Sequence, residues 1–317
     1  MSAASEHFSL EEVAPGAWVA LAGATGACLS NAGIIDLGDR TLVFDTFITP
    51  EAGRDLRAAA EALTGRAVST VVNSHHHGDH VQGNQAFSGA DIISSARTIE
   101  LISEKSPPDL DAYADELRDW ILALDAELLQ AERNGDEATA RDVTLSRAMA
   151  RAVLASLPEL TITLPNIQHN GEMIIEGSER DAHVISYGGG HTDSDTFVFL
   201  PDCGVVYAGD LLWVETHPWA GDGHPDEWVN IIFRLKALRP STVVPGHGTV
   251  TTFEYARIFA RYLTFVCDIV KQAEASSTAI VKLAETQIPP QYAAWSSAEE
   301  FRMSLEALGK RVGLQPD

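Results

Sequence analysis

The sequence predicts an α/β protein built as a four-layer α/β/β/α sandwich, and three observations predict it. Short β-type apolar runs recur in both halves of the chain, amphipathic stretches of helical period lie between and after them, and several runs end on glycine together with histidine or aspartate. Strands and helices in each half that share one rim of polar residues fit a layered arrangement, and they put a functional site on that rim.

In chain order, the first runs are GAWVALAGA at 16–24, NAGIIDLG at 31–38 and TLVFDTF at 41–47, punctuated by glycine and Asp-Arg turn signals. A helical stretch follows over 50–64. TVVNSHHHGDH, at 70–80, is a β-branched run that leads directly into a histidine cluster, which is a strand feeding a loop. The later runs MIIEG, HVISYGGG, TFVFL, VVYAGD and STVVPGHG repeat the pattern. Residues 109–133 differ, with Leu110, Tyr113, Leu117, Trp120, Ile121, Leu124 and Leu128 mostly three or four apart and Asn134-Gly135 as a stop, so they form an amphipathic helix. Asp136 caps a second helix that runs to about Leu157 and ends at Pro158, giving an antiparallel hairpin. The chain is expected to be one domain, 1–317, with a helical insertion at 105–158 and a C-terminal helical region at 252–317, whose helices cover Phe253 to Ser276 and Ser297 to Val312. The hairpin reads equally as a packing or dimerisation arm and as a cap bordering a substrate cleft.

A chain of 317 residues buries enough surface to be stable without disulfides. Cys28, Cys203 and Cys267 lie far apart with no C-x-x-C spacing, as expected of three small buried residues in a reducing compartment. No run of eighteen apolar residues supports a membrane span, and the opening MSAASEHFSLEE lacks the basic and apolar regions of a secretory signal, so the expected location is cytoplasmic. Forty-five acidic residues against twenty-two basic ones give a formal net charge of -23, a field that repels nucleic-acid backbones and anionic membranes. The expected partner is a small-molecule substrate, with a homodimer left open.

The chemistry concentrates in His75-His76-His77-Gly78-Asp79-His80. The alternation of an extended strand end puts His75 and His77 on the same side, where they can grip one ion. Gly78 permits a sharp backbone change, after which Asp79 and His80 sit at a helix start and face a second point nearby. Imidazole nitrogen and carboxylate oxygen suit zinc, with iron, manganese or cobalt as alternatives. His76 points away from the ion and is expected to pack or to support a ligand.

His75-x-His77-x-Asp79-His80 resembles the H-x-H-x-D-H signature of the metallo-β-lactamase superfamily. GGGHTDSD resembles that family's second metal element, VVYAGDLLW its third and VVPGHG its fourth, in the right order, and the resemblance covers Val19 to Thr249. It implies the metallo-β-lactamase fold and two metal ions per chain: His75, His77 and His191 on one, Asp79, His80 and His247 on the other, with Asp210 bridging. It also implies a hydrolase in which a bridging hydroxide attacks an electrophilic centre and Asp79 orients that hydroxide and shuttles a proton. An aspartate at 210 resembles the glyoxalase II, lactonase and phosphodiesterase branches more than zinc β-lactamases proper. The expected substrates are therefore carboxylic esters, thioesters or lactones, with phosphodiester and β-lactam hydrolysis as alternatives on the same site. Two other classes stay open: a single-iron oxygenase resembling persulfide dioxygenases, and a non-catalytic binding protein that uses the hairpin as its contact surface.

After Asp210, the segment LLWVETHPWAGDGHPDEW is dense in Trp213, His217, Trp219, His224 and Trp228. It reads equally as a lining for the substrate pocket and as a loop packed under the C-terminal helices. Tyr187 and Tyr207 flank metal motifs and are candidates to donate to an oxyanion, although strand tyrosines are more often packed.

Overall fold

A computed structural model describes residues 5–276 and 278–315. Seven strands, β1 Phe8–Ala14, β2 Ala17–Ala22, β3 Ala32–Asp36, β4 Thr41–Phe44, β5 Val68–Val72, β6 Asp91–Ser95 and β7 Ile167–His169, lie in one sheet in chain order. The first four pair antiparallel and the last four parallel. In the second sheet, β8 Glu172–Ile175, β9 Ala182–Gly188, β10 Asp195–Leu200 and β11 Val205–Trp213 form an antiparallel run, and β12 Thr242–His247 adds parallel to β11.

The two sheets bury their inner faces against each other. Val19, Ile35, Leu42, Phe44 and Val72 from the first meet Val184, Val198, Val205 and Tyr207 from the second in one cluster. Outside the first sheet, α1 Pro50–Thr64 covers Ile34, Val43 and Val71 with Leu56, Ala59 and Ala60. Strands buried on both faces read as continuous apolar runs, and every residue of β4, β10 and β11 is buried. Gly33 and Tyr207 set how closely the sheets approach: a Cβ on Gly33 would lie 2.6 Å from Tyr207 Cδ1, and the Tyr207 hydroxyl donates across the interface to the Trp18 carbonyl at 3.0 Å.

The remaining helices are α2 Gly78–Val81, α3 Ala96–Lys105, α4 Leu110–Asn134, α5 Glu137–Ser156, α6 Pro225–Leu235, α7 Phe253–Ser276, α8 Ile280–Ala284 and α9 Ala298–Arg311. Trp228 of α6, Phe259 and Leu263 of α7, and Phe301 and Leu305 of α9 pack over Phe197, Phe199 and Val206 and complete the fourth layer. Among the described residues, no helix is long and apolar enough to cross a membrane.

Helix α1 occupies the expected span because its ends are signalled locally. Thr49 accepts from the Ala52 amide, Pro50 opens the first turn, and Gly65 closes the helix in the left-handed conformation. The hairpin also forms as expected: Asp109 and Asp136 cap α4 and α5, and Leu117, Leu124, Leu128, Val143 and Val153 form a core of their own that meets the body of the protein at Ile48. Strands β1, β6 and β7 and helices α3, α6 and α8 were not anticipated from the sequence. Helix α6 begins within the tryptophan-rich segment that reads as a loop, with Pro225 in its first turn and Asp226 and Glu227 behind it.

Replacing Gly33 with alanine is expected to lower unfolding free energy by about 1–3 kcal/mol in urea titrations, because the added methyl must displace the Tyr207 ring. An unchanged midpoint would contradict this packing of the sheets.

Candidate metal centre

The polar rim gathers at one edge of the two-sheet core. Past the end of β5, the chain runs extended through Asn73 and Ser74 to His77, and the single turn of α2 then presents Asp79 and His80. His191 comes from the loop before β10, Asp210 from within β11, and His247 from the end of β12. Pairing between β11 and β12 slips in register on both sides of Gly209, beside Asp210. Close approach of β12 requires a glycine at 246, where a Cβ would meet Asp210 Oδ1 at 1.9 Å.

All seven side chains converge as two groups, His75, His77, His191 and Asp210 in one and Asp79, His80 and His247 in the other, with donor atoms inside each group within 4.8 Å of one another. His77 Nδ1 lies 3.0 Å from both His75 Nε2 and His191 Nε2. Asp210 Oδ2 lies 3.2 Å from His191 Nε2 and 3.4 Å from His247 Nε2, while its Oδ1 is 3.2 Å from His80 Nε2. Asp79 Oδ2 is 3.3 Å from His80 Nε2 and 3.4 Å from His247 Nε2. Donors about 2.0–2.1 Å from a tetrahedral ion stand about 3.3 Å apart, so these separations match a shell around a cation.

Two further observations test the fit. His80 Nε2, His247 Nε2 and Asp210 Oδ1 are buried without a hydrogen-bond partner among the described residues, a costly state unless something else satisfies them. The back faces of the rings are in turn fixed. Asp45 is fully buried; it accepts from His80 Nδ1 at 2.7 Å and from the Ser74 amide and hydroxyl at 2.7 Å each. Ser74 Oγ lies 2.9 Å from His75 Nδ1, and Asp222 accepts from His77 Nε2 at 3.2 Å and from Trp219 Nε1 at 2.8 Å. With Nδ1 of His80 and Nε2 of His77 donating backward, the opposite nitrogens present lone pairs to the centre. The donor set and its support fit divalent cations.

The electrostatics separate the rings. Burial, reinforced by neighbouring histidines, holds His75 well below the usual histidine range, and burial takes His191 down to about 3 despite Asp210. Burial acts the same way on His80 and His247, but the surrounding carboxylates outweigh it: His80 is raised well above its ordinary value and His247 to about 9. Burial favours the neutral forms of Asp79 and Asp210, yet the histidines hold both carboxyls well below the carboxylate range. A cation loading this site competes with protons on His80 and His247.

Above the centre lies a cleft of about 740 Å³. Trp213 and Trp219 line it, with Trp213 stacked on the His247 ring at 3.8 Å. The hairpin supplies one wall through Trp120, Leu145 and Met149, so it borders the cleft.

The structure does not bring His217, His224 or Tyr187 into this cleft. His217 is fully buried under the C-terminal helices, its Nδ1 3.0 Å from the Tyr262 hydroxyl and its ring packed against Trp295 and Phe301. His224 sits outside at the start of α6, 3.2 Å from Asp193 and 3.2 Å from Arg311. Tyr187 lies under the Arg234 guanidinium, 3.7 Å from its ring centre. For the two histidines the reason is that β11 and α6 fix the segment at both ends, and the stretch between them sends His217 into the helical layer and His224 to the start of α6. Trp228 is buried there and donates to the Leu211 carbonyl, and Tyr207 is spent between the sheets. His76 is buried, and its ring is nearly perpendicular to that of His75.

Residues 25–247 match the profile of the metallo-beta-lactamase superfamily. The chain belongs to this superfamily. Among solved structures, it is similar to a metallo-beta-lactamase from Pontibacter korlensis (TM-score 0.58, 16% identity, covering 81% of this chain and 99% of that one). It is also similar to a metallo-beta-lactamase from Hirschia baltica (TM-score 0.56, 15% identity, 81% and 97% coverage) and to TMB-1 (TM-score 0.53, 16% identity, 81% and 98% coverage). At these identities the likeness concerns the metallo-β-lactamase fold. Superfamily membership and the two donor groups together support a metal-dependent hydrolase in general terms.

Two predictions follow from the site's construction. Asp45→Asn keeps the shape, and asparagine tolerates the left-handed backbone at this position (φ 60°), but it turns one acceptor into a donor. Zinc affinity, measured by competition with a chelator, is expected to fall about 10–100-fold, and an undiminished affinity would mean that Asp45 does not orient His80. His217→Leu is expected to lower the melting temperature while leaving zinc content and KM unchanged; a raised KM would return His217 to the cleft.

Proposed function

We propose that this chain is a hydrolase that holds two divalent cations, zinc foremost, and cleaves a carboxylic ester, thioester or lactone in a small-molecule substrate. The observation that carries the proposal is the position of Asp210, whose carboxylate reaches His191 in one donor group and both His80 and His247 in the other. In this reading His75, His77 and His191 hold one cation, Asp79, His80 and His247 hold the second, and Asp210 is shared. A complete second donor group supports two cations over a single iron.

When bound, such a pair supplies Lewis acidity, which makes water a nucleophile near neutral pH and stabilises negative charge on a substrate oxygen. The chain's own residues do the rest. Asp79 reaches the floor of the cleft between His80 and His247, so it orients the attacking water, accepts its proton and returns that proton to the leaving oxygen or sulfur. Asp45, Ser74 and Asp222 keep the imidazoles aimed inward, which spares the site from reorganising during the reaction. Trp213 and Trp219 offer apolar faces to an acyl group and exclude water beside the scissile bond.

The test is a hydrolysis screen of zinc-loaded protein over lactones, thioesters, carboxylic esters, phosphodiesters and β-lactams, with metal content measured in parallel. Carboxylic acid derivatives are expected to turn over, and His77→Ala is expected to lose at least one metal and most of the activity. Retention of both metals by that variant would refute the ligand assignment. One iron per chain with thiol-dependent oxygen uptake would replace the hydrolase with an oxygenase.

A further inference from the structure

The cleft carries a charge pattern that the proposed hydrolysis does not require. No lysine or arginine lines it among the described residues, whereas Asp142 and Glu300 do, in addition to the carboxylates of the metal centre. Two divalent cations would bring four positive charges. Asp79 and Asp210 among the donors, with Asp45 behind His80 and Asp222 behind His77, offset all four, while Lys105, 3.4 Å from Asp222, returns one positive charge. Asp142 and Glu300 then leave the loaded cleft with an excess of negative charge.

Glu300 is the exceptional member of the pair. It occupies the first turn of α9, and Ser297-Ala298-Glu299-Glu300 has the spacing of a capping box, in which the glutamate turns back to accept from the serine amide. That local role is taken by another residue. Ser297 adopts a left-handed backbone (φ 60°), makes no side-chain cap, and donates its amide to Asp142 Oδ2 of the hairpin at 2.8 Å. Glu300 is thus released from its own helix end, and its carboxylate has no hydrogen-bond or ion-pair partner among the described residues. It lines the cleft and belongs to neither donor group; burial and the neighbouring Glu299 push its carboxyl above the ordinary glutamate value, against a weaker opposite pull from His247 and His77. The helix N-terminus favours its ionised form. Trp120 and Trp219 line the same cleft, with Trp213 stacked on His247 beside them, and an ammonium group is attracted to aromatic rings as well as to a carboxylate.

We propose that the cleft takes acyl substrates bearing an alkylammonium group, and that Glu300 is the specificity-determining residue that receives this group. The inference rests on the hydrolase reading of the same site. It runs against substrates recognised through a carboxylate or phosphate remote from the scissile bond, because among the described residues no lysine or arginine lines the cleft to pair with such an anion.

The experiment separates charge from shape. An alkyltrimethylammonium ion and its neutral tert-butyl isostere are titrated into zinc-loaded protein by calorimetry, which needs no turnover. In parallel, 2-(trimethylammonio)ethyl acetate, 3,3-dimethylbutyl acetate and a hemisuccinate ester are compared as substrates. Wild type is expected to bind the ammonium compound at least about tenfold more tightly than the isostere, and to rank the esters cationic, neutral, anionic in kcat/KM. Glu300→Gln, nearly isosteric, is expected to remove the preference with zinc content unchanged, and Glu300→Lys to reverse the ester ranking. Equal binding of the two ligands by wild type, or a preference that survives Glu300→Gln, overturns the inference. A Glu300-dependent binding preference, together with no hydrolysis of these esters or of the thioesters and lactones screened above, supports the inference and overturns the hydrolase reading instead.

Discussion

The sharing of one buried carboxylate between two sets of donors is the constraint on which the site is organised. Asp210 offers Oδ2 to His191 and His247 and Oδ1 to His80, and of these His80, His191 and Asp210 itself are buried, where water screens charge poorly. Imidazoles and carboxylates packed this closely in a medium of low dielectric either divide protons among themselves or enclose positive charge. Their opposed shifts, with His247 and His80 drawn up and His75 and His191 pressed down, are the signature of that crowding. A side chain at 246 would take the space that Asp210 occupies, so the backbone of β12 is part of the same constraint.

The fold serves this arrangement by bringing two separate rims to one place. His75 through His80 follow a strand of the first sheet, whereas His191, Asp210 and His247 belong to the second. The geometry inside each donor set therefore depends on how deeply the sheets interlock, which the contact of Tyr207 with Gly33 helps to set. Core packing and site geometry are one problem here, because a sheet that slid would carry its ligands with it.

What the sequence discloses follows from how local each feature is. The helix at Pro50–Thr64 is legible to the residue because a threonine cap, a first-turn proline and a terminal glycine lie inside a short window. Likewise the His75–His80 segment announces itself, since its ligand types fall within one strand end and one helical turn. Asp45 and Asp222 are silent by comparison: each is a single carboxylate far along the chain from the histidine it steadies, and only folding makes them neighbours. Density of aromatic and histidine residues after Asp210 cannot say which way each side chain turns: Trp213 and Trp219 line the cleft, whereas His217 and His224 lie outside it. Strand β6, with two isoleucines in five residues, is held by its parallel neighbours rather than by its own pattern.

The hairpin of α4 and α5 contributes a wall to the cleft but none of the seven donors, and it is stabilised largely by contacts between its own two helices. Floor and ceiling of the reaction chamber are consequently separate pieces of masonry. Residues such as Trp120, Leu145 and Met149 can be exchanged to admit a bulkier or slimmer guest while the ion cage beneath stays intact, so the architecture lets selectivity drift over generations without rebuilding the chemistry.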